Sequence, residues 1–271
     1  MKTTTISISN KSFKGIEAAG LVIIGCFIVA ICIYHFVFGN PANFMNNDPA
    51  NHPLPGNLLG TIYKGGIIVP IIQTLLLTVL TLSVERFFTL RSAFGRGKLV
   101  KFVANIKDAL AKGDLDAAQA LCDRQRGSVA NVVSATLRKY REMEGLSDMS
   151  KDQKILAIQK ELEEATALEL PMLQQNLPII ATITTLGTLM GLLGTVIGMI
   201  KSFAALSAGG GTDSIALSTG ISEALINTAF GILTGALAVI SYNYYTNKID
   251  KLTYSLDEVG FSIVQTYAAT H

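Results

Sequence analysis

Charge is scarce in this chain. Asp, Glu, Lys and Arg make up 15% of its 271 residues against 49% hydrophobic ones, well under the ~25% charged residues of an ordinary soluble domain. Cysteine is scarcer still. Cys26 and Cys32 lie six apart in one apolar run and Cys122 lies far from both, a distribution that excludes a disulfide framework. Histidine is limited to His35, His52 and His271, scattered along the chain. They form no metal-spaced cluster, and neither a nucleophile elbow nor a phosphate loop is present, so no enzyme activity, metal or cofactor is expected. A formal net charge of only +2 gives no reason to expect nucleic acid. No alternating strand pattern occurs, and the chain has no matching halves of the kind a secondary transporter shows.

What the chain does have is long apolar runs. Four are long enough to cross a bilayer of ~30 Å: Ala18 to Phe38, Gly66 to Val84, Leu177 to Ile200 and Leu217 to Tyr242. Lys and Arg set their orientation. Lys2, Lys11 and Lys14 precede the first run, fifteen cations lie between Glu85 and Asn176, and Lys248 and Lys251 follow the fourth. The two remaining connections hold one each, Lys64 and Lys201. The positive-inside rule therefore puts both termini and the long middle segment in the cytoplasm. The first run is expected to be a retained anchor rather than a signal, because it continues past the 7–15 residues of a signal core and no small-residue cleavage site follows.

The middle segment reads as helical hairpins. Glu85 to Arg91 carries the second span out of the membrane with its cations at the headgroup level. Lys98 to Lys112 is one periodic helix, Gly113 its C-terminal cap and Asp114 the N-cap of the next. Gly127 breaks that helix. Ser128 to Glu144 and Asp152 to Glu169 form two more around a polar turn at Gly145 to Ser150, and Pro171 and Pro178 predict kinks or a short break at the third span. The fold class is thus an all-α membrane protein with four transmembrane helices and a helical cytoplasmic domain.

Glu223 is the sole carboxylate between Ile215 and Tyr242. Inserting such a charge costs roughly 2.5–3.5 kcal/mol unless it is neutralised, paired or hydrated, so a functional role is the default reading. On a helix Glu223, Asn227, Thr234 and Ser241 share an edge, and small residues from Gly220 to Ala238 continue that side. The third span repeats the pattern: Gly187, Gly191, Gly194 and Gly198 form one stripe, with Thr184, Thr188 and Thr195 beside it. Close helix packing explains the glycines. For the threonines packing and a pore lining both stand, since a hydroxyl can bond its own backbone. Polar faces on two spans cannot be left against lipid, which predicts a pore-forming homo-oligomer.

Two motifs in order carry a family resemblance: Gly191-Leu192-Leu193-Gly194-Thr195-Val196-Ile197-Gly198, then Gly220-Ile221-Ser222-Glu223-Ala224-Leu225-Ile226-Asn227-Thr228-Ala229-Phe230-Gly231 with Tyr242-Asn243 after them. The chain resembles the ExbB/TolQ/MotA proton-channel family, and ExbB most, over roughly Glu85 to Ile249. The resemblance implies a homopentamer around a dimer of a single-span ExbD-like partner with a membrane aspartate, and a TonB-like protein energised by proton flow. It implies a proton pathway of Thr195, Glu223 and Thr228; the polar faces read above add Thr184, Thr188, Asn227 and Thr234 as possible additional lining. The chain departs from the family in having Thr188 and Leu237 where many relatives have proline, and in its extra first span. The expected organisation is residues 1–64 for the N-terminus, extra span and periplasmic loop, 65–90 for the second span, 91–176 for the cytoplasmic domain, 177–247 for the channel core and 248–271 for a cytoplasmic tail.

Residues alone leave other readings open. A passive scaffold would need neither Glu223 nor a second polar face. A TolQ- or MotA-like stator for envelope maintenance or motility fits the same motifs. The bacterial inner membrane is the expected location. Because the chain supplies no second intramembrane carboxylate, the main proton-binding acid has to come from a partner.

Overall fold

The computed structural model describes residues 19–208 and 214–270. Lys2, Lys11, Lys14, Gly209 to Gly211 and His271, on which parts of the topology, loop and histidine readings rest, lie outside the described residues. Apart from an isolated bridge between Phe44 and Pro53, the regular elements described are helical. They are α1 (Ala19–Ile33), α2 (Leu58–Lys64), α3 (Ile68–Ala93), α4 (Leu99–Ala111), α5 (Leu115–Gln125), α6 (Gly127–Glu144), α7 (Lys151–Gln174), α8 (Leu177–Ala208) and α9 (Ser214–Thr270). Among the described residues four helical stretches are long and apolar enough to cross a membrane, and they cover the four runs read from hydropathy to within two residues.

The chain divides into two compact units. One comprises Ala18–Val84 and Asn176–Tyr244, the other Glu85–Gln175 and Tyr245–His271, each as far as its residues are described.

In the first unit α1 makes a narrow contact. It buries Cys26 and Ala30, with Cys26 Sγ 3.8 Å from Thr81 Oγ1 of α3, while Leu21, Ile24, Phe27 and Ile28 point outward. A wider π-helical turn, Tyr34–Phe38, follows α1. The stretch from Gly39 to Gly65, expected as a plain loop, is folded. Asn43 Nδ2 donates to the carbonyls of Val37 (2.8 Å) and Phe38 (3.1 Å), and Asn57 caps α2 by accepting from Gly60 N–H at 3.1 Å. Tyr34 stacks on Tyr63 at 4.7 Å between ring centroids and donates its hydroxyl to the Tyr63 carbonyl at 2.8 Å. Buried backbone groups near a membrane must be satisfied internally, and these asparagines and tyrosines do so.

The second unit is a helical cluster built from the predicted hairpins. Phe102, Val103, Ile106, Ala109 and Leu110 form the buried stripe of α4. Gly113, at φ +70°, makes the left-handed turn that a side chain would resist, and Asp114 then caps α5 by accepting the Ala117 N–H at 2.8 Å. Ser150 and Gln153 close a capping box at the start of α7, satisfying two otherwise orphaned donors. The distal part of α9, expected as a separate tail, buries Ile249, Leu252, Leu256, Val259, Ile263 and Tyr267 at helical spacing. Tyr267 meets Tyr140 edge to face at 4.8 Å, and Glu258 accepts from Lys107 at 2.6 Å.

The short break expected where Pro171 and Pro178 flank the third span falls between them, at Gln175 and at Asn176, whose φ is +65°, with Pro171 itself inside α7. One detail differs from the sequence reading. Arg86, expected among headgroups, is fully buried with its guanidinium on the Glu85 carboxylate. It also donates to the carbonyls of Met172 (3.1 Å) and Leu173 (3.3 Å), two of the groups that the end of α7 leaves without helical partners. Burial is sustainable because an Arg fork can serve several acceptors at once.

Candidate functional site

The expected site residues lie on α8 and α9 in the first unit, and glycine decides how closely those helices meet. A methyl group built on Gly187 would sit 3.2 Å from Gly235 N, one on Gly191 3.0 Å from Gly231 Cα, and one on Gly198 2.8 Å from Ala224 Cβ. On Gly194 it would run into the Asn227 side chain, and on Gly220 into Ser202. The seam thus runs antiparallel over five levels, backbone on backbone at Gly187 and Gly191 and backbone on short side chains at Gly194, Gly198 and Gly220. Apolar side chains cover the outer surfaces: Leu189, Leu192, Leu193 and Val196 on α8, Leu225, Ile232 and Leu233 on α9.

The threonines divide by where their hydroxyls go. Thr184, Thr188 and Thr195 donate to their own helix, at the carbonyls of Ala181 (2.6 Å), Thr185 (2.8 Å) and Leu192 (2.6 Å). Thr228 crosses the seam to the Gly191 carbonyl at 3.2 Å, possible only because Gly191 lets the backbones approach. Thr184, Thr195 and Thr228 are half-buried and Thr188 is exposed. Each hydroxyl keeps acceptor capacity after donating.

Glu223 is half-buried in the first turns of α9's apolar stretch, and the cations acting on it are Lys64 and Lys201. Asn227, one turn along, donates its amide to the Gly65 carbonyl at 3.1 Å. Its Oδ1 is buried without a partner among the described residues. Thr234 is fully buried and donates to the Phe230 carbonyl at 2.8 Å. The sequence grouped Asn227 and Thr234 with the lining. Both side chains are enclosed within the chain, Asn227 between Gly194 and Gly65 and Thr234 against Gly187, while Glu223 on the same edge stays half-buried.

Residues 127–258 match the MotA/TolQ/ExbB proton channel family. The ExbB-like 1 biopolymer transport protein of Synechocystis is 30% identical over 191 residues, which span 68% of this chain and 69% of that protein. The chain belongs to the MotA/TolQ/ExbB proton channel family. Membership of this channel family, with four helices long and apolar enough to span, makes it a multi-pass membrane protein. The Synechocystis ExbB-like 3 protein is 38% identical over 86 residues, 31% of this chain and 41% of that relative's length. The Tol-Pal system protein TolQ of Pseudomonas aeruginosa is 26% identical over 192 residues, 67% of this chain and 81% of TolQ.

In this family member the matched region takes in all of α8 and the seam half of α9, together with α6 and α7. It excludes α1 and the folded segment after it. Sequence reasoning missed Arg86 and the contacts of His52 and Gly65 with α9. The only signal available was that Lys64 and His52 stand in the same short connection.

Proposed function

We propose that this chain is the channel-forming subunit of an inner-membrane, proton-driven machine of the ExbB type. Five copies close around a dimer of a single-span ExbD-like partner, both termini are cytoplasmic, and the complex energises a TonB-like protein. The observation that carries this is Glu223, half-buried in a span otherwise free of carboxylates and borne on a helix pair whose glycines are spent on packing. Such a carboxylate is retained in a membrane only for a use.

Thr195, Glu223 and Thr228 form the proton pathway, with Thr184 and Thr188 extending the polar strip. A threonine hydroxyl relays a hydrogen bond while holding no ion strongly. Glu223 exchanges a proton with water or with the partner's aspartate. One charge crossing 100 mV yields about 2.3 kcal/mol, so each mechanical step draws on several protons. The packed α8 and α9 provide the rigid wall against which the partner moves.

A Tol-type role is the second reading, favoured by the match covering 81% of TolQ. Two experiments test these assignments. Proteoliposomes holding the chain and its genomic neighbour of single-span type should take up protons, and Glu223→Gln should abolish uptake while native mass spectrometry still finds the pentamer; normal uptake by that variant would sink the channel reading. Expression in strains lacking either the TonB-linked or the Tol-linked subunit separates the branches, since the ExbB-type reading requires rescue of the first.

A further inference from the structure

The face of α9 that bears Glu223 is clasped by the folded segment between the first two spans. His52 Nδ1 and Thr219 Oγ1 lie 3.2 Å apart, and Asn227 Nδ2 donates to the Gly65 carbonyl at 3.1 Å. Thr219, Glu223 and Asn227 follow one another at intervals of four, so they form one stripe of the helix. Glu223 stands midway between two bonded rungs. The residue before Gly65 is Lys64, which acts on Glu223 as a counter-charge.

The Lys64 ammonium is held by its own segment. It donates to the carbonyls of Pro49 (2.9 Å) and Ala50 (3.0 Å) and lies 5.6 Å from the Phe44 ring centroid. Two of its three N–H groups are thereby used, and the charge stays fixed rather than swinging on a free stem. Lys201 supplies a second ammonium near the same segment, 3.7 Å from where a methyl group on Gly66 would stand. Tyr34, in the π-helical turn, also lies within reach of the Glu223 charge.

We propose that Lys64 is a positioning residue for Glu223: the segment 39–65 is a clasp that holds a fixed positive charge over this carboxylate without tying it up in a direct ion pair. A paired carboxylate would lose its oxygens to the partner. A carboxylate beside a tethered charge keeps them available for proton exchange while its burial is offset. The extra span and its folded connection are therefore part of the proton machinery, not an accessory anchor. This inference rests on the channel reading above.

A double-mutant cycle tests it apart from transport. Thermal unfolding in mild detergent is measured for Lys64→Met, Glu223→Gln and the double variant. The loss of the Pro49 and Ala50 bonds is common to both backgrounds and cancels. The double variant should lose less than the sum of the singles; additive losses would overturn the pairing. In proteoliposomes Lys64→Met should lower partner-dependent proton flux about tenfold, the size of one partly screened charge interaction, and Lys64→Arg should restore it. Wild-type flux in Lys64→Met beside impaired Glu223→Gln would overturn this inference alone. Normal flux in Glu223→Gln would overturn the channel reading and this inference with it.

Discussion

The guanidinium of Arg86 lies against the main-chain carbonyl of Leu173 at 3.3 Å, inside the protein and shielded from water. It links the emergence of α3 to the end of α7 and shares its charge with Glu85. Arg86→Met removes the cation from a buried carboxylate and should cost about 3–5 kcal/mol, whereas Glu85→Gln with Arg86→Met should cost less than Arg86→Met alone. Thermal unfolding of the purified variants measures the difference. Equal stability of Arg86→Met and the wild type would show the pair to be dispensable.

The glycine seam predicts a sharp contrast among alanine substitutions. At Gly231 the added methyl would stand 2.6 Å from Gly191 Cα, and backbone cannot step aside, so Gly231→Ala should cost roughly 1–3 kcal/mol or more. At Gly20 and Gly25 nothing lies within 4 Å, so alanine there should be neutral or slightly favourable through helix propensity. Unfolding in detergent ranks the three variants, and comparable losses at all three would refute a backbone-contact seam.

Thr195 and Thr228 can be separated by substitution. Thr228→Val removes a bond across the seam and should lower stability by about 0.6 kcal/mol as well as lowering flux. Thr195→Val removes only a bond to its own helix, so it should leave stability nearly unchanged while flux falls. Thr195→Ser should keep both. Flux and unfolding measured on the same preparations give the comparison, and unchanged flux in Thr195→Val would remove that residue from the pathway.

Cys122 is buried in the helical unit, and burial first, with Asp123 beside it, pushes its thiol up to about 12 from 9.0. The folded pKa lies above the unfolded one, so the contribution to stability is complete below about pH 9 and is lost as pH rises from 9 towards 12. Iodoacetamide at pH 8 should leave Cys122 unmodified in the folded protein and label it in urea, as peptide mass spectrometry would read. Rapid labelling of the folded form would contradict its burial.

Hydropathy exposed the four spans because lipid imposes a length, and Gly113 and Asp114 exposed a turn because few residues can make one. The Gly187-to-Gly198 stripe was legible because four glycines at helical spacing in an apolar run leave close helix packing as their use. Arg86 was not legible, since a cation at a span's end looks the same whether it meets headgroups or the carbonyls of a helix 86 residues away. Asn227 and Thr234 were placed on the right edge but not the right side, because a helical wheel gives angles and not neighbours. The segment from Gly39 to Gly65 carries turn residues throughout, and its fold depends on bonds such as Asn57 to Asn43 (3.1 Å), between side chains that local pattern cannot pair.

The seam between α8 and α9 also limits what can move. Rotating α8 about its own axis would turn Leu192 or Leu193 into the place of Gly191 or Gly194, against backbone that has no room for a methyl group. The two helices therefore travel as a single stave. In the proposed pentamer, motion driven by protons then falls at joints between staves, or between a stave and the partner that the staves enclose.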